Sequence, residues 1–290
     1  EEAGVHSGDS ACVIPPMSIG PDMIAEIKAA TSAIALELGV VGLINIQFAI
    51  AEGGLYVIEA NPRASRTVPF VSKAIGVPLA KVATRIMLGQ KLAEMELPEF
   101  DGDHVSVKEA VMPFSRFQGA DSVLGPEMKS TGEVIGIARD FPTAFGKAQA
   151  AAGSPLPRSG TVFISVTDTD KAAATQLAAR FHDIGFEVVA TGGTAQAISR
   201  MGIPVRPINK LAQGSPHVVD LIERRECDLV INTPTGSGAR TDGYEIRSAA
   251  IKHGIPVMTT LTGASAACRA IAAGADGGAE VHSLQELHAL

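Results

Sequence analysis

Residues Leu43–Lys73 read LINIQFAIAEGGLYVIEANPRASRTVPFVSK. Two apolar runs rich in β-branched residues, Ile44–Ile50 and Leu55–Ala60, flank Glu52-Gly53-Gly54, which predicts an antiparallel hairpin closed by a three-residue loop. That loop sets Gln47 opposite Glu59 and Asn45 opposite Asn61. Because side chains alternate along a strand, one face carries Asn45, Gln47, Glu59 and Asn61, and the other Ile46, Phe48, Ile50, Tyr56 and Ile58. A carboxylate beside two amides offers hard oxygen donors, the kind that hold Mg2+ while leaving room for water and phosphate oxygens. Arg63 and Arg66 follow in the NPRASR turn, where their planar forks can neutralise phosphate. A plain solvent face would also be polar. The Glu-x-Asn-Pro-Arg cluster is what distinguishes this hairpin from that ordinary case.

Outward from the hairpin, apolar residues at helical spacing over Met17–Leu38 predict an amphipathic helix packed beside it, with Pro21 in the first turn. Val68–Met87 reads as a second helical region broken at Val77-Pro78. The polar run GVHSGDSA near the start reads as a loop close to a ligand or another segment. Short β-like pieces at His104–Pro113 and Glu133–Ala138 and a helix at Phe141–Ala151 form a covering segment. Gly, Ser and Pro concentrate over residues 153–160, which marks an interdomain linker between residues 1–152 and 161–290.

Beyond the linker, short strands alternate with helices, the pattern of a parallel sheet sandwiched between helices. Ligands bind such sheets beyond the carboxyl ends of the strands. Those ends are Thr191-Gly192-Gly193-Thr194, Asn209-Lys210, Asn232-Thr233-Pro234-Thr235-Gly236 and Thr259-Thr260. Threonine hydroxyls, glycine amides and a helix N-terminus can hold a phosphate with few lysines, here Lys171 and Lys210. Threonine also simply favours strands and helix caps, but its recurrence at several ends of one edge is harder to explain that way. Neither of the glycine-rich dinucleotide and P-loop patterns occurs.

Composition narrows the function further. A formal charge of −7 and an isoelectric point near 5.5 disfavour a nucleic-acid surface. Cys12, Cys227 and Cys268 lie far apart and suit structural thiols in a reducing compartment. No apolar run is long enough to span a bilayer, and no secretory signal opens the chain, so a cytoplasmic location is expected. The absence of an initiator methionine suits a fragment of a longer polypeptide.

The motifs EANPRASRTVPFVSKA, GVHSGDSAC, VKEAVMPF and LGPEMKSTGEV closely resemble the carbamoyl phosphate synthase large chain. The resemblance implies an α/β fold: the C-terminal part of an ATP-grasp domain, with an antiparallel sheet and helices, followed by a methylglyoxal synthase-like parallel α/β sandwich. It implies an ATP-dependent ligase that makes carbamoyl phosphate from bicarbonate, glutamine-derived ammonia and two ATP, for arginine and pyrimidine biosynthesis. Gln47, Glu59 and Asn61 match ligands of Mg2+ (or Mn2+) on ATP, His6 and Ser7 the adenine end, and Arg63 and Arg66 contacts to the reacting phosphate and carbamate. Ser165, Lys171, Thr191, Thr194, Lys210, Asn232 and Thr233 match an allosteric site for UMP or IMP. Glu1, Asp9, Glu109, Leu124 and Thr259 match an ornithine site.

Two departures stand out: Pro234 replaces a family threonine, and Val257 a tyrosine of the ornithine site. Implied partners are a glutamine-hydrolysing small chain and further copies of the chain, with the fragment alone inactive. Two other readings stay open: a stand-alone nucleotide-sensing module, and a methylglyoxal synthase with Asp242 as reserve catalytic residue.

Overall fold

The computed structural model describes residues 6–98, 100, 102–117, 122–234, 242–274 and 281–289. In chain order the elements are β1 (Cys12–Ile14), α1 (Pro21–Glu37), β2 (Asn45–Ala51), β3 (Gly54–Asn61), α2 (Val68–Ile75), α3 (Leu79–Met87), β4 (Val105–Val111), β5 (Gly132–Ala138) and α4 (Phe141–Ala151). There follow β6 (Thr161–Ser165), α5 (Lys171–Asp183), β7 (Glu187–Thr191), α6 (Gly192–Arg200), β8 (Arg206–Ile208) and α7 (Val218–Glu223). The last are β9 (Leu229–Asn232), α8 (Asp242–His253), β10 (Val257–Met258), α9 (Leu261–Gly274) and α10 (Leu284–Ala289). The chain divides into two compact units, residues 1–12 with 107–280 and residues 13–106 with 281–290.

The smaller unit holds the hairpin. Asn45 pairs with Asn61 and Gln47 with Glu59, the expected register at this end, but the route to it differs. The turn is two residues long, with Glu52 and Gly53 at φ 51° and 78°, and Ala51 pairs with Gly54. Two-residue turns of this left-handed kind match the twist of the strands they join. A bulge between Gln47 and Phe48 then takes up one extra residue of β3, and it restores the register expected of a three-residue loop. The faces change accordingly. Tyr56 pairs with Ala49 and so shares the face of Gln47, while Val57 and Leu55 join Phe48 and Ile50. The placement of Tyr56 on the apolar face is corrected by this register.

That apolar face is also less covered than its composition predicts: Ile50, Val57 and Ile58 are 45, 52 and 59% exposed. Helix α1 was expected to pack beside the hairpin; it forms, with proline in its first turn, but none of its residues is buried. The core of this unit lies instead around α2 and α3, where Phe70, Ala74, Val77, Val82 and Ala83 are buried. The two helices are separate, as Val77-Pro78 predicts, with Gly76 ending α2 at φ 71°. Two histidines satisfy the last carbonyls of α2: His104 Nε2 donates to Ala74 O at 2.8 Å and His288 Nε2 to Lys73 O at 2.7 Å.

In the larger unit, five parallel strands lie in the order β10-β9-β6-β7-β8. Phe163, Val189 and Val230 face Val218, Leu221, Ile222, Ile246 and Ala250 of α7 and α8. The alternate residues Val162, Ile164, Val188 and Ile231 are equally buried, and α5, α6 and α9 supply Leu177, Phe181, Ile198, Ala267 and Ile271. The layers follow from the crossover rule, because consecutive parallel strands need helices on the sheet faces. Strands β1, β4 and β5 form a separate three-stranded sheet in that order. Helix α4 packs between β5 and α9: Gly136 lets the α4 backbone approach, and Arg269 lies 5.6 Å from the Phe141 ring centre. Residues 153–160, expected as a linker, run without helix or strand between α4 and β6.

Candidate functional site

The hairpin presents its oxygen-bearing side chains as cross-strand pairs. Directly opposed side chains lie about 5 Å apart at Cβ, so Gln47 beside Glu59 and Asn45 beside Asn61 form one polar patch. Glu59 is exposed, while Gln47 and Asn61 are half-buried. The segment after β3 doubles back at once, with Arg63 N donating to Asn61 O at 2.8 Å, and Arg63 and Arg66 are exposed on the turn leading to α2. Among the described residues no three His, Cys, Asp or Glu side chains gather as a metal cage. A single carboxylate with two amide oxygens is instead a donor set that fits Mg2+ shared with water and phosphate oxygens.

In the larger unit, His6 Nδ1 accepts from Gly8 N at 3.0 Å, so this ring caps a short 3-10 turn, and Ser7 is exposed.

The carboxyl ends of the parallel strands open onto a cavity of about 650 Å3. A chain of bonds frames it: Ser165 Oγ lies 3.2 Å from Thr191 Oγ1, Asn232 Nδ2 donates to Ser165 O at 3.1 Å, and Thr167 N donates to Thr233 Oγ1 at 3.0 Å. Thr191 stands at the N-cap of α6 but makes no side-chain cap, leaving the first N–H groups of that helix without a hydroxyl partner from it. The helix begins at Gly192 rather than at Thr194, where the sequence pattern starts a helix running to Met201, and this puts Thr194 in the first turn, buried. Lys171 reaches over this terminus, since a Cβ at Gly193 would lie 3.1 Å from its Nζ. The same Nζ binds Asp168 at 2.6 Å and holds that carboxyl below its ordinary 3.8. Lys210 also lines the cavity, exposed at its rim.

One residue of this cavity escaped the sequence reading. Arg247 is 3% exposed, and its Nη1 donates to Asn232 Oδ1 at 2.8 Å. The available signal was Gly243-x-x-x-Arg247 in the helix after the β9 strand end: residues four apart share a helix face, and a Cβ at Gly243 would sit 2.7 Å from that guanidinium. Positions 235–241, and the side chain of Asp242 proposed as a reserve catalytic residue, lie outside what is described.

A second cavity of about 460 Å3 in the same unit brings Glu109, Val257 and Thr259 together. Glu109 is buried, and Gln149 Nε2 donates to its Oε1 at 2.7 Å. Leu124 is half-buried and absent from the lining, and Glu1 lies outside the described residues. Asp9 is fully buried elsewhere, accepting from Lys129 N at 2.7 Å and Ser130 N at 2.9 Å. Burial would raise this carboxyl, but the Ser130 hydroxyl and these two N–H groups hold it below 3.8. The cysteines are unsuited to nucleophilic work: burial raises Cys12 and Cys268 and pushes Cys227 up to about 12. No helix among the described residues is long and apolar enough to cross a membrane.

Residues 2–95 match the family model of the carbamoyl-phosphate synthase L chain ATP binding domain, and residues 173–259 match that of the MGS-like domain. Carbamoyl phosphate synthase large chains from Clavibacter sepedonicus and Gemmatimonas aurantiaca are each 54% identical over 99% of this chain, which covers 28% and 26% of their lengths. That of Archaeoglobus fulgidus is 54% identical over 99% of the chain and 27% of its own length. The chain thus spans about a quarter of these relatives. With both domain models matched and about half of its residues shared across nearly its whole length, the chain is similar to about a quarter of the carbamoyl phosphate synthase large chain.

Proposed function

We propose that this chain supplies part of the carbamate-phosphorylating site, together with the effector site, of a glutamine-dependent carbamoyl phosphate synthase. The intact enzyme would use two ATP, bicarbonate and ammonia delivered by a glutamine-hydrolysing small chain. The observation that carries the reading is the β2–β3 register, Gln47 with Glu59 and Asn45 with Asn61, immediately before Arg63 and Arg66. Gln47, Glu59 and Asn61 would hold Mg2+ on ATP, with Mn2+ as a substitute. Such a metal supplies charge neutralisation at the transferring phosphoryl group. Arg63 and Arg66 would bind and orient the anionic carbamate and phosphate, because phosphoryl transfer depends mainly on positioning and charge.

The Thr191–Asn232 cavity would hold the phosphate and ribose of UMP or IMP, with Lys171, Lys210 and the α6 N-terminus at the phosphate. The Glu109–Thr259 cavity would take a small amine such as ornithine. Its buried carboxylate favours that charge, while Val257 removes an aromatic wall and Asp9 is committed to the backbone of residues 129–130.

The test is formation of ATP from ADP and carbamoyl phosphate by the intact large chain. Glu59→Ala or Arg66→Ala is expected to slow it about 100-fold or more, with bicarbonate-dependent ATP hydrolysis changed less than about twofold. Equal loss of both half-reactions, or of neither, contradicts the assignment. The 290-residue chain alone is expected to bind UMP and to release no ADP from ATP.

A further inference from the structure

The cavity at the strand ends has two chemically different poles. One lies over β7, where Thr191, the N-terminus of α6 and Lys171 Nζ above Gly193 converge. The other lies over β9, where Arg247 meets Asn232. Strand β6 runs between them, so the poles are two inter-strand spacings, about 9–10 Å, apart. This rests on the reading of the cavity as a nucleoside monophosphate site. A ligand whose phosphate occupies the first pole then brings its base to the second.

At that second pole the polar groups are held in one orientation. Asn232 donates through Nδ2 to Ser165 O and accepts through Oδ1 from Arg247, which settles which way its amide faces. Gly243 leaves the room the guanidinium occupies, since a Cβ there would lie 2.7 Å from Nη1 and 3.0 Å from Asn232 Oδ1. A 3% exposed arginine braced in this way is a fixed, donor-only fork lining the cavity. Such a fork pairs with ring carbonyl oxygens and opposes an exocyclic amino group, as arginine does when it reads guanine in DNA.

We infer that Arg247 sets the specificity of this site, selecting bases that carry an oxo group where cytosine and adenine carry their exocyclic amino group, as uracil does at C4 and hypoxanthine at C6. Asn232 acts as its positioning partner rather than as the reader.

The test is calorimetric binding of UMP, CMP and ribose 5-phosphate to the intact large chain. The wild type is expected to prefer UMP over CMP by about tenfold or more. Arg247→Gln, whose amide both donates and accepts, is expected to bring the two affinities within about threefold while leaving ribose 5-phosphate unchanged. Arg247→Lys, still donor-only, is expected to keep the preference. A wild-type ratio near one overturns the inference whether or not the variants fold. So does a fall in ribose 5-phosphate affinity in Arg247→Gln with the UMP-to-CMP ratio unchanged, since that would place Arg247 at the phosphate. If wild type binds none of the three ligands, the nucleotide-site reading fails and this inference with it. Ribose 5-phosphate binding with an unaltered UMP-to-CMP ratio in the variant overturns the inference alone.

Discussion

Asp9 and Asp168 are both acidic residues in polar turns of the sequence, and the structure gives them opposite situations. Asp9 is fully buried and satisfies two backbone N–H groups, so Asp9→Ala leaves both without an acceptor. The expected loss is about 3 kcal/mol of stability, read from urea unfolding. Its pH dependence follows from the direction of the shift. The folded carboxyl titrates below the unfolded one, so its stabilisation is complete above the ordinary 3.8 and disappears as pH falls through the depressed value. Asp9→Asn should therefore unfold at lower urea than wild type at pH 7, with the gap closing below pH 3.8. Asp168 is exposed and its carboxylate sits on Lys171 Nζ, where a ligand phosphate would also bind. Asp168→Asn is expected to tighten UMP binding about threefold, since an exposed ion pair is weak and easily replaced. Unchanged affinity would mean that Lys171 does not reach the phosphate. None of this separates the two residues in sequence, because burial is set by segments more than a hundred residues away.

At the scale of elements, the parallel strands were legible because short β-branched runs between helical stretches leave little choice of structure. Helix α4 forms over Phe141–Ala151, the span expected from the sequence. The hairpin register was reached by a different path. Glu52-Gly53-Gly54 admits either a two- or a three-residue turn, and the bulge that compensates leaves no mark in an alternating pattern. Only the pairing of Tyr56 with Ala49 reveals it. The early start of α6 was hidden by Gly192-Gly193, whose low helix propensity reads as loop.

The contact of β5 with α4 was equally silent in sequence. A Cβ at Gly136 would overlap Ala144 O and Ala148 N, backbone atoms that cannot rotate away. Gly136→Ala should cost about 1–3 kcal/mol in urea unfolding. Gly192→Ala meets nothing within 4 Å and should stay within about 1 kcal/mol of wild type.

For the whole molecule, the two compact units carry two chemistries: carboxylate, amides and arginines on the hairpin of one, and hydroxyls, glycines and cations at the strand ends of the other. The composition of the candidate site was readable because its residue types are unusual in a hairpin. Arg247 was not, because the spacing Gly243-x-x-x-Arg247 gains its meaning only once the helix is set against Asn232. Ile50 and Ile58, which the alternation of the sequence sets on the apolar face of the hairpin, are exposed.

The central claim is that one hairpin face holds the divalent metal. Electron paramagnetic resonance titration of Mn2+ into the intact large chain with ATP tests it most directly. Glu59→Ala should bind fewer Mn2+ ions than wild type, with UMP affinity unchanged. An equal number of Mn2+ ions bound with equal affinity in the variant would contradict the account.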